Sequence, residues 1–171
     1  YGRTSEASAV YTKTLSSSST YSNEPSPSNP SLTRVELQCS EGGIIQANGK
    51  SFSVLFHVFM PEANRMNMAL SFQVVNSVTM LPVLHYHLFD IETTSFRRKG
   101  VNQLQFTSNV FRLYKGNYFL RIYLAESKTK VEFERKDCCY FQVEMIGMDE
   151  IEWGWADDMC QYLDEGNWKI E

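Results

Sequence analysis

The sequence lacks a long apolar run. Of its 171 residues, 43% are hydrophobic and 13% aromatic, which is enough apolar material for the core of one domain. The longest apolar stretches, such as residues 54–60, are interrupted by His57 and fall far short of the roughly 18 to 20 residues that a membrane helix needs. We therefore expect no membrane-spanning helix.

The sequence also lacks a cationic leader followed by an apolar segment, so we expect no secretory signal. It begins with Tyr1 rather than Met, and we expect it to be part of a longer protein. The four cysteines form neither a Cys-x-x-Cys pair nor a dense disulfide framework, which favours reduced thiols in a cytosolic compartment. Cys138 and Cys139 are adjacent on an extended segment, and alternation predicts that they point to opposite faces.

Catalytic motifs are missing as well. The chain has no Gly-x-Ser-x-Gly elbow and no complete phosphate-binding glycine loop. Its three histidines are His57, His85 and His87, and the last two, with Glu92, have the His-x-His-x4-Glu spacing of cupin metal sites. No histidine follows His87, so we expect no metal site, no cofactor and no enzyme activity. A cupin-like metal-dependent enzyme built on the three histidines stays as the less favoured alternative.

Charge is unevenly distributed along the chain. The net charge is −4, but residues 149–171 hold eight acids and one base, which leaves 12 acids and 15 bases, or +3, for residues 1–148. That excess is too small for a nucleic-acid footprint and is compatible with an anionic small ligand or a charged sugar. The acidic tail holds all three tryptophans. We predict a short helix at 156–163 and an edge strand at 167–170, covering a sheet edge or a neighbouring chain.

Composition divides the chain into three parts. Residues 1–15 are compatible with a short helix that closes a preceding domain. Residues 16–32 are rich in serine and hold three of the five prolines, which predicts a disordered or partly helical linker. A folded domain is expected from residue 33 to residue 171.

Within that domain the apolar residues alternate with a period of two. Such alternation indicates strands with one buried face, and no amphipathic helix separates the segments. The pattern predicts an all-β fold, an immunoglobulin-like antiparallel β-sandwich of jelly-roll-like character. Seven strands are expected, near residues 34–39, 52–60, 68–74, 83–91, 104–110, 118–124 and 139–145.

Two of these strands carry outward side chains suited to binding. Aromatic rings can lie under the C–H patches of a sugar, and histidine and arginine can reach its hydroxyls or an anionic group. If the two strands share a sheet, their side chains form one platform. An aromatic stripe that only covers the sheet or contacts another subunit is the alternative. The candidate residues are His85, His87, Phe89, Phe119, Arg121 and Tyr123.

Two stretches resemble a family of exporters. The run from Gly2 through Glu6 to Tyr11 is similar to the closing helix of ATP-binding subunits of polysaccharide ABC exporters. The stretch from 33 to 145 resembles the carboxy-terminal carbohydrate-binding domain of Wzt, the ATP-binding subunit of O-antigen exporters. The residues that carry this second likeness are Arg34-Val35-Glu36-Leu37, Asn48-Gly49 before Phe52-Ser53-Val54, Pro82 before His85 to Ile91, Gly116-x-Tyr118-x-Leu120, and Phe141-x-Val143.

The resemblance implies a non-catalytic module fused behind an ATPase. Such a module recognises the capped non-reducing end of a lipid-linked O-antigen polysaccharide, where the cap is a methyl group, a methyl phosphate or an acidic sugar. It implies a cytoplasmic location at the bacterial inner membrane, with the ATPase domain and the membrane subunit as partners. It also implies a homodimer, in some members with an exchanged terminal strand. A protein-interaction or dimerisation sandwich that binds no glycan stays open beside it.

Overall fold

The computed structural model describes residues 18–63, 67–89, 96, 98–148, 154–156, 159–164 and 169, and these form strands, turns and extended segments. The predicted helix at 1–15 lies outside the described residues. No helix within these ranges is long and apolar enough to cross a membrane. The strands are β1 (Thr20–Ser22), β2 (Ser31–Gln38), β3 (Ile45–Ala47), β4 (Phe52–Met60), β5 (Met68–Asn76), β6 (Pro82–Phe89), β7 (Gly100–Ser108), β8 (Gly116–Glu126) and β9 (Val131–Glu144).

The strands form two sheets that pack face to face. One sheet has the order β1-β2-β4-β7 and the other has the order β3-β9-β8-β5-β6. The prediction of an all-β sandwich is confirmed. The pairing is antiparallel except between β3 and β9, which run parallel, so the expectation of a purely antiparallel fold is corrected at that edge.

The core lies between the sheets and follows from the alternation. On β4 every second residue is buried, from Phe52 to Met60, while the residues between them are half-buried. The Phe72 ring lies 5.5 Å from the ring of Phe56, 5.1 Å from Tyr86 and 5.0 Å from Phe106. Burying an aromatic side chain of this size stabilises the fold by about 2 to 3 kcal/mol, so these rings hold the two sheets together.

The predicted linker contributes a strand to the sandwich. Residues 20–22 pair antiparallel with β2, with Tyr21 opposite Val35. The Tyr21 ring lies 4.9 Å from the ammonium group of Lys136 on β9, and the carboxylate of Glu134 accepts a hydrogen bond of 2.7 Å from the backbone N–H of Leu32. These contacts join the two sheets at one side, so the sandwich begins well before residue 33.

Strand β9 differs from its prediction in length and in shape. It begins eight residues before the expected position 139. Cys139 has a φ of 54°, and the pairing with β8 shifts register at the same place, which is a β-bulge. Because the bulge redirects the second residue, Cys138 and Cys139 are both buried in the core. The prediction that they point to opposite faces is wrong.

The described part of the acidic tail packs in an extended conformation. Tyr162 forms an isolated bridge with Leu113, and the hydroxyl of Tyr114 donates a hydrogen bond of 2.8 Å to the carbonyl of Ala156. The Trp155 ring meets the Tyr114 ring edge-on at 6.2 Å. Residues 156 and 159–163 are not helical, so the predicted helix is wrong there. The predicted strand at 167–170 lies outside the described residues apart from Lys169.

Candidate functional site

The two strands of the predicted platform share the five-stranded sheet. Strand β5 lies between β6 and β8, and β9 lies on the far side of β8. The register therefore places four outward residues side by side in each of two rows. The first row is His85, Gln73, Arg121 and Asp137, and the second is His87, Ser71, Tyr123 and Arg135. We call these eight residues the outer face.

The outer face is large enough for a short oligosaccharide. Neighbouring strands lie about 4.8 Å apart, so a row that crosses four strands spans about 14 Å. That length corresponds to two or three sugar rings. Gln73 and Ser71 were missed by the sequence reasoning, which identified β5 as a strand but did not place it between the two candidate strands.

His85 and His87 lie next to each other at the margin of the outer face. Their ring centroids are 3.8 Å apart with 40° between the ring planes, and both residues are exposed. The His85 ring is 6.3 Å from the ring of Tyr123. Partial burial, followed by the neighbouring imidazole of His87, lowers the pKa of His85. His85 is therefore neutral near pH 7, with one nitrogen to donate and one to accept a hydrogen bond.

Arg121 is engaged within the protein. Its Nε and Nη2 atoms each donate a hydrogen bond of 2.8 Å to the two carboxylate oxygens of Asp137. The hydrogen bond to Asp137 is the main reason that the pKa of Arg121 is raised, and only 13% of its side chain is exposed. This geometry contradicts the predicted role of Arg121 as a free cation for an anionic ligand. The pair instead presents the partly exposed carboxylate of Asp137 as an acceptor.

Phe119 does not belong to the exposed surface. It is 1% exposed, with its ring 5.3 Å from the Tyr140 ring and 5.6 Å from the Arg121 guanidinium. The β9 bulge sets two residues, Cys139 and Tyr140, opposite Phe119, and the Tyr140 ring covers it. The prediction of Phe119 as a platform residue is therefore wrong.

Arg135 is the cation that the sequence reasoning missed. It is exposed, and its guanidinium carbon lies 5.6 Å from the centroid of the Tyr123 ring. Among the residues that the structure describes, no carboxylate forms a salt bridge with Arg135. The Tyr123 hydroxyl in turn donates to Oε1 of Gln73 at 3.3 Å. The run Glu132-Phe133-Glu134-Arg135-Lys136-Asp137 precedes the strand predicted at 139–145, so the sequence analysis assigned no sheet face to its residues.

Phe89 is the last residue of β6 and pairs with Ala69 through its backbone. Its side chain lies outside the described part of the structure, so its place on the platform stays a prediction. His57 lies in the other sheet, on β4, with its Nε2 atom 3.6 Å from Oε1 of Glu36. The three histidines thus do not meet, and the described residues contain no group of three or more metal-ligating side chains.

Comparison with known proteins shows which solved structure shares the fold of this chain. No protein-family model matches the chain, and no curated protein does. The crystal structure of the C-terminal domain of Wzt matches with a TM-score of 0.59, over 91% of this chain and 95% of that domain, at 14% sequence identity. The two share a fold. A weaker match is the soluble domain of PmoD from Methylocystis, with a TM-score of 0.34 and 10% identity, over 65% of this chain and 91% of that one. Another weaker match is a DNA glycosylase.

That glycosylase is AlkC from Pseudomonas fluorescens bound to DNA containing an abasic site analogue, with a TM-score of 0.35 and 6% identity, over 64% of this chain and 30% of that one. Both weaker scores are too low to indicate a common fold. The likeness to the Wzt domain concerns the arrangement of strands, because 14% identity does not carry individual site residues from one protein to the other.

Proposed function

We propose that the outer face binds carbohydrate without chemical change. The observation that carries the proposal is the pair of rows across β6, β5, β8 and β9, which joins rings, hydrogen-bonding groups and one exposed guanidinium on a single surface. The shared fold with the Wzt domain agrees with this class of ligand. The ligand is the capped non-reducing terminus of a lipid-linked O-antigen polysaccharide destined for export by an ABC transporter.

Five of the eight residues of the outer face contact the sugar in this proposal. The rings of Tyr123 and His85 lie beside a sugar ring, whose C–H groups favour aromatic surfaces. Gln73, Ser71 and the carboxylate of Asp137 bind its hydroxyls. One such contact contributes only about 1 kcal/mol net, so the isolated domain is expected to bind with a Kd between micromolar and millimolar. Two domains in a homodimeric exporter would gain affinity through avidity.

An anionic cap would be bound by Arg135. Its guanidinium is exposed and stands over Tyr123, whereas Arg121 is already neutralised by Asp137. Arginine is suited to a carboxylate or a phosphate because two of its N–H groups can donate in parallel. We therefore assign to Arg135 the role that was predicted for Arg121.

The wider setting is proposed on the same basis. The domain would follow an ATPase domain and work with a membrane subunit at the cytoplasmic side of the bacterial inner membrane. What supports this is the order of the motifs quoted above together with the shared fold. In this setting the domain selects finished chains by binding them, and the ATPase and membrane subunit carry out transport.

A second candidate function has one observation in its favour. The turn between β5 and β6 exposes three apolar side chains, with Val78 at 71%, Met80 at 52% and Leu81 at 58% exposure. Apolar residues gathered at a turn are a feature of protein-interaction surfaces. The sandwich would then hold a partner chain and bind no glycan.

Calorimetric titration of the whole 171-residue chain separates the two functions. The ligands are two oligosaccharides that differ only in the terminal modification of the polysaccharide made by the same cell. The glycan proposal expects binding of the modified oligosaccharide and at least tenfold weaker binding of the unmodified one. Absence of binding to both, at millimolar ligand, would contradict it and favour the protein-interaction function.

A further inference from the structure

Strand β6 forms one margin of the five-stranded sheet and pairs on one side, with β5, within the described residues. His85 and His87 project from it toward the outer face, since residues two apart on a strand point the same way. Both are exposed, with ring centroids 3.8 Å apart. Two imidazoles in this arrangement can do more than form hydrogen bonds with a sugar, because their nitrogen atoms can also bind a metal ion.

We propose that His85 and His87 together bind one divalent late transition-metal ion, with Zn²⁺ as the representative. Imidazole nitrogen is a preferred ligand of this class of metal. With metal–nitrogen distances of about 2.0 to 2.1 Å and a tetrahedral angle, the two ring centroids would lie about 5 Å apart. The rings have to separate by about 1 Å from their present 3.8 Å spacing, and side-chain rotation on the exposed strand provides that movement without a change in the backbone.

The remaining coordination positions of such an ion face outward. Gln73 and Ser71 lie directly beside the two histidines on β5, and because both histidines are exposed, small oxygen ligands can complete the coordination of the ion. Water fills these positions in the free protein, and two hydroxyls or a carboxylate of a bound molecule can replace it. Because the protein supplies two ligands rather than the three or four of catalytic and structural zinc sites, the ion is exchangeable.

The third histidine provides a matched control. His57 lies on β4 in the other sheet, close to Glu36, and takes no part in the proposed site. Replacing it removes one imidazole from the chain without changing the outer face. His85→Gln and His87→Gln each remove one of the two proposed ligands and keep a polar, exposed side chain in its place.

The test is calorimetric titration of ZnCl₂ into the whole chain, prepared without a histidine tag, treated with chelator and measured with no glycan present. We expect one ion per chain and at least tenfold weaker binding in His85→Gln and in His87→Gln, with His57→Gln unchanged. Thermal unfolding of each variant checks that it is folded. Absence of saturable binding to the wild type would overturn the proposal, as would wild-type affinity in the His85 and His87 variants.

A spectroscopic measurement on the wild type alone gives a second test that needs no variant. Cu²⁺, added at one equivalent, should show electron paramagnetic resonance couplings from two imidazole nitrogens. Coupling from one nitrogen or from none would contradict a two-histidine site. Since no glycan is used in either test, their outcome is independent of the carbohydrate-binding proposal.

Discussion

Arg121 and Asp137 face each other across β8 and β9 and form a two-pronged ion pair, with both N···O distances at 2.8 Å. The arginine side chain is 13% exposed and the aspartate side chain 35% exposed. Each partner fixes the other in one orientation, so the pair is a rigid part of the outer face. The pair also neutralises the charge of Arg121. Removal of Arg121 is therefore expected to change the stability of the fold rather than the binding of an anionic ligand.

Removing Arg121 should affect stability. Arg121→Ala leaves the carboxylate of Asp137 without its partner, and the free energy of unfolding should fall by about 1 to 2 kcal/mol, between the values typical of surface and buried pairs. The measurement is urea unfolding of Arg121→Ala, Asp137→Asn and the double variant. A double variant whose loss equals the sum of the two single losses would show that the pair contributes no coupling.

Removing Arg135 should affect binding. Arg135→Gln should weaken binding of an oligosaccharide with an anionic terminus by about 10- to 100-fold, because a hydrogen bond to a charged group contributes about 1.5 to 3 kcal/mol. Binding of the neutral oligosaccharide should change little. Calorimetry at low and at high salt checks this, since added salt should reduce the preference of the wild type for the anionic ligand.

Arg98→Gln is the control for that experiment. Arg98 is exposed and precedes β7, which belongs to the other sheet. It has the same charge as Arg135 but lies outside the outer face. Equal losses in the two variants would mean that net charge, rather than a contact with Arg135, decides the affinity.

The Phe119→Ala variant tests whether Phe119 is a buried packing residue or a residue that contacts the glycan. Phe119→Ala removes a ring that is 1% exposed, and truncation of buried phenylalanine typically costs about 3 to 5 kcal/mol. We expect a loss of that size in chemical denaturation, with the glycan affinity of the remaining folded protein unchanged. A variant that is as stable as the wild type and binds glycan poorly would indicate that Phe119 contacts the glycan.

Tyr21 should make stability fall in alkali. Burial, followed by the nearby charge of Glu134, raises the pKa of Tyr21 from 10.0 to about 12. The unfolded chain then releases the phenolic proton at lower pH than the folded chain does, so the contribution is complete below pH 10 and is lost as the pH rises toward 12. Denaturant unfolding between pH 9 and pH 12 should show a smaller decline in Tyr21→Phe. An identical decline would indicate that Tyr21 titrates as it does in the unfolded chain.

The strands that the sequence predicted well share one property. In β4 and β8 a buried apolar residue recurs at every second position over most of the strand, while the residues between them are of mixed character and mostly half-buried. Strands β1 and β3 have three residues each, which is too short for a period of two to be visible. Strand β1 also lies in a serine-rich stretch whose composition indicates a linker, although Tyr21 supplies enough apolar contact to attach it.

The candidate site was predicted in part for a similar reason. His85, His87 and Tyr123 are found by alternation, because outward direction depends only on local parity. The burial of Phe119 and the pairing of Arg121 depend on β9. The bulge of that strand at Cys139 cannot be recognised from the sequence. Gln73 and Arg135 join the outer face only through the order of strands in the sheet, which is a non-local property of the fold.

Mapping of the glycan on the protein tests the central claim most directly. Backbone amide shifts are followed by nuclear magnetic resonance while the oligosaccharide with the modified terminus is added. We expect saturable shifts at residues of the outer face on β5, β6, β8 and β9, centred on Gln73 and Tyr123. Shifts confined to the sheet of β2, β4 and β7, or no shifts at millimolar oligosaccharide, would contradict the account.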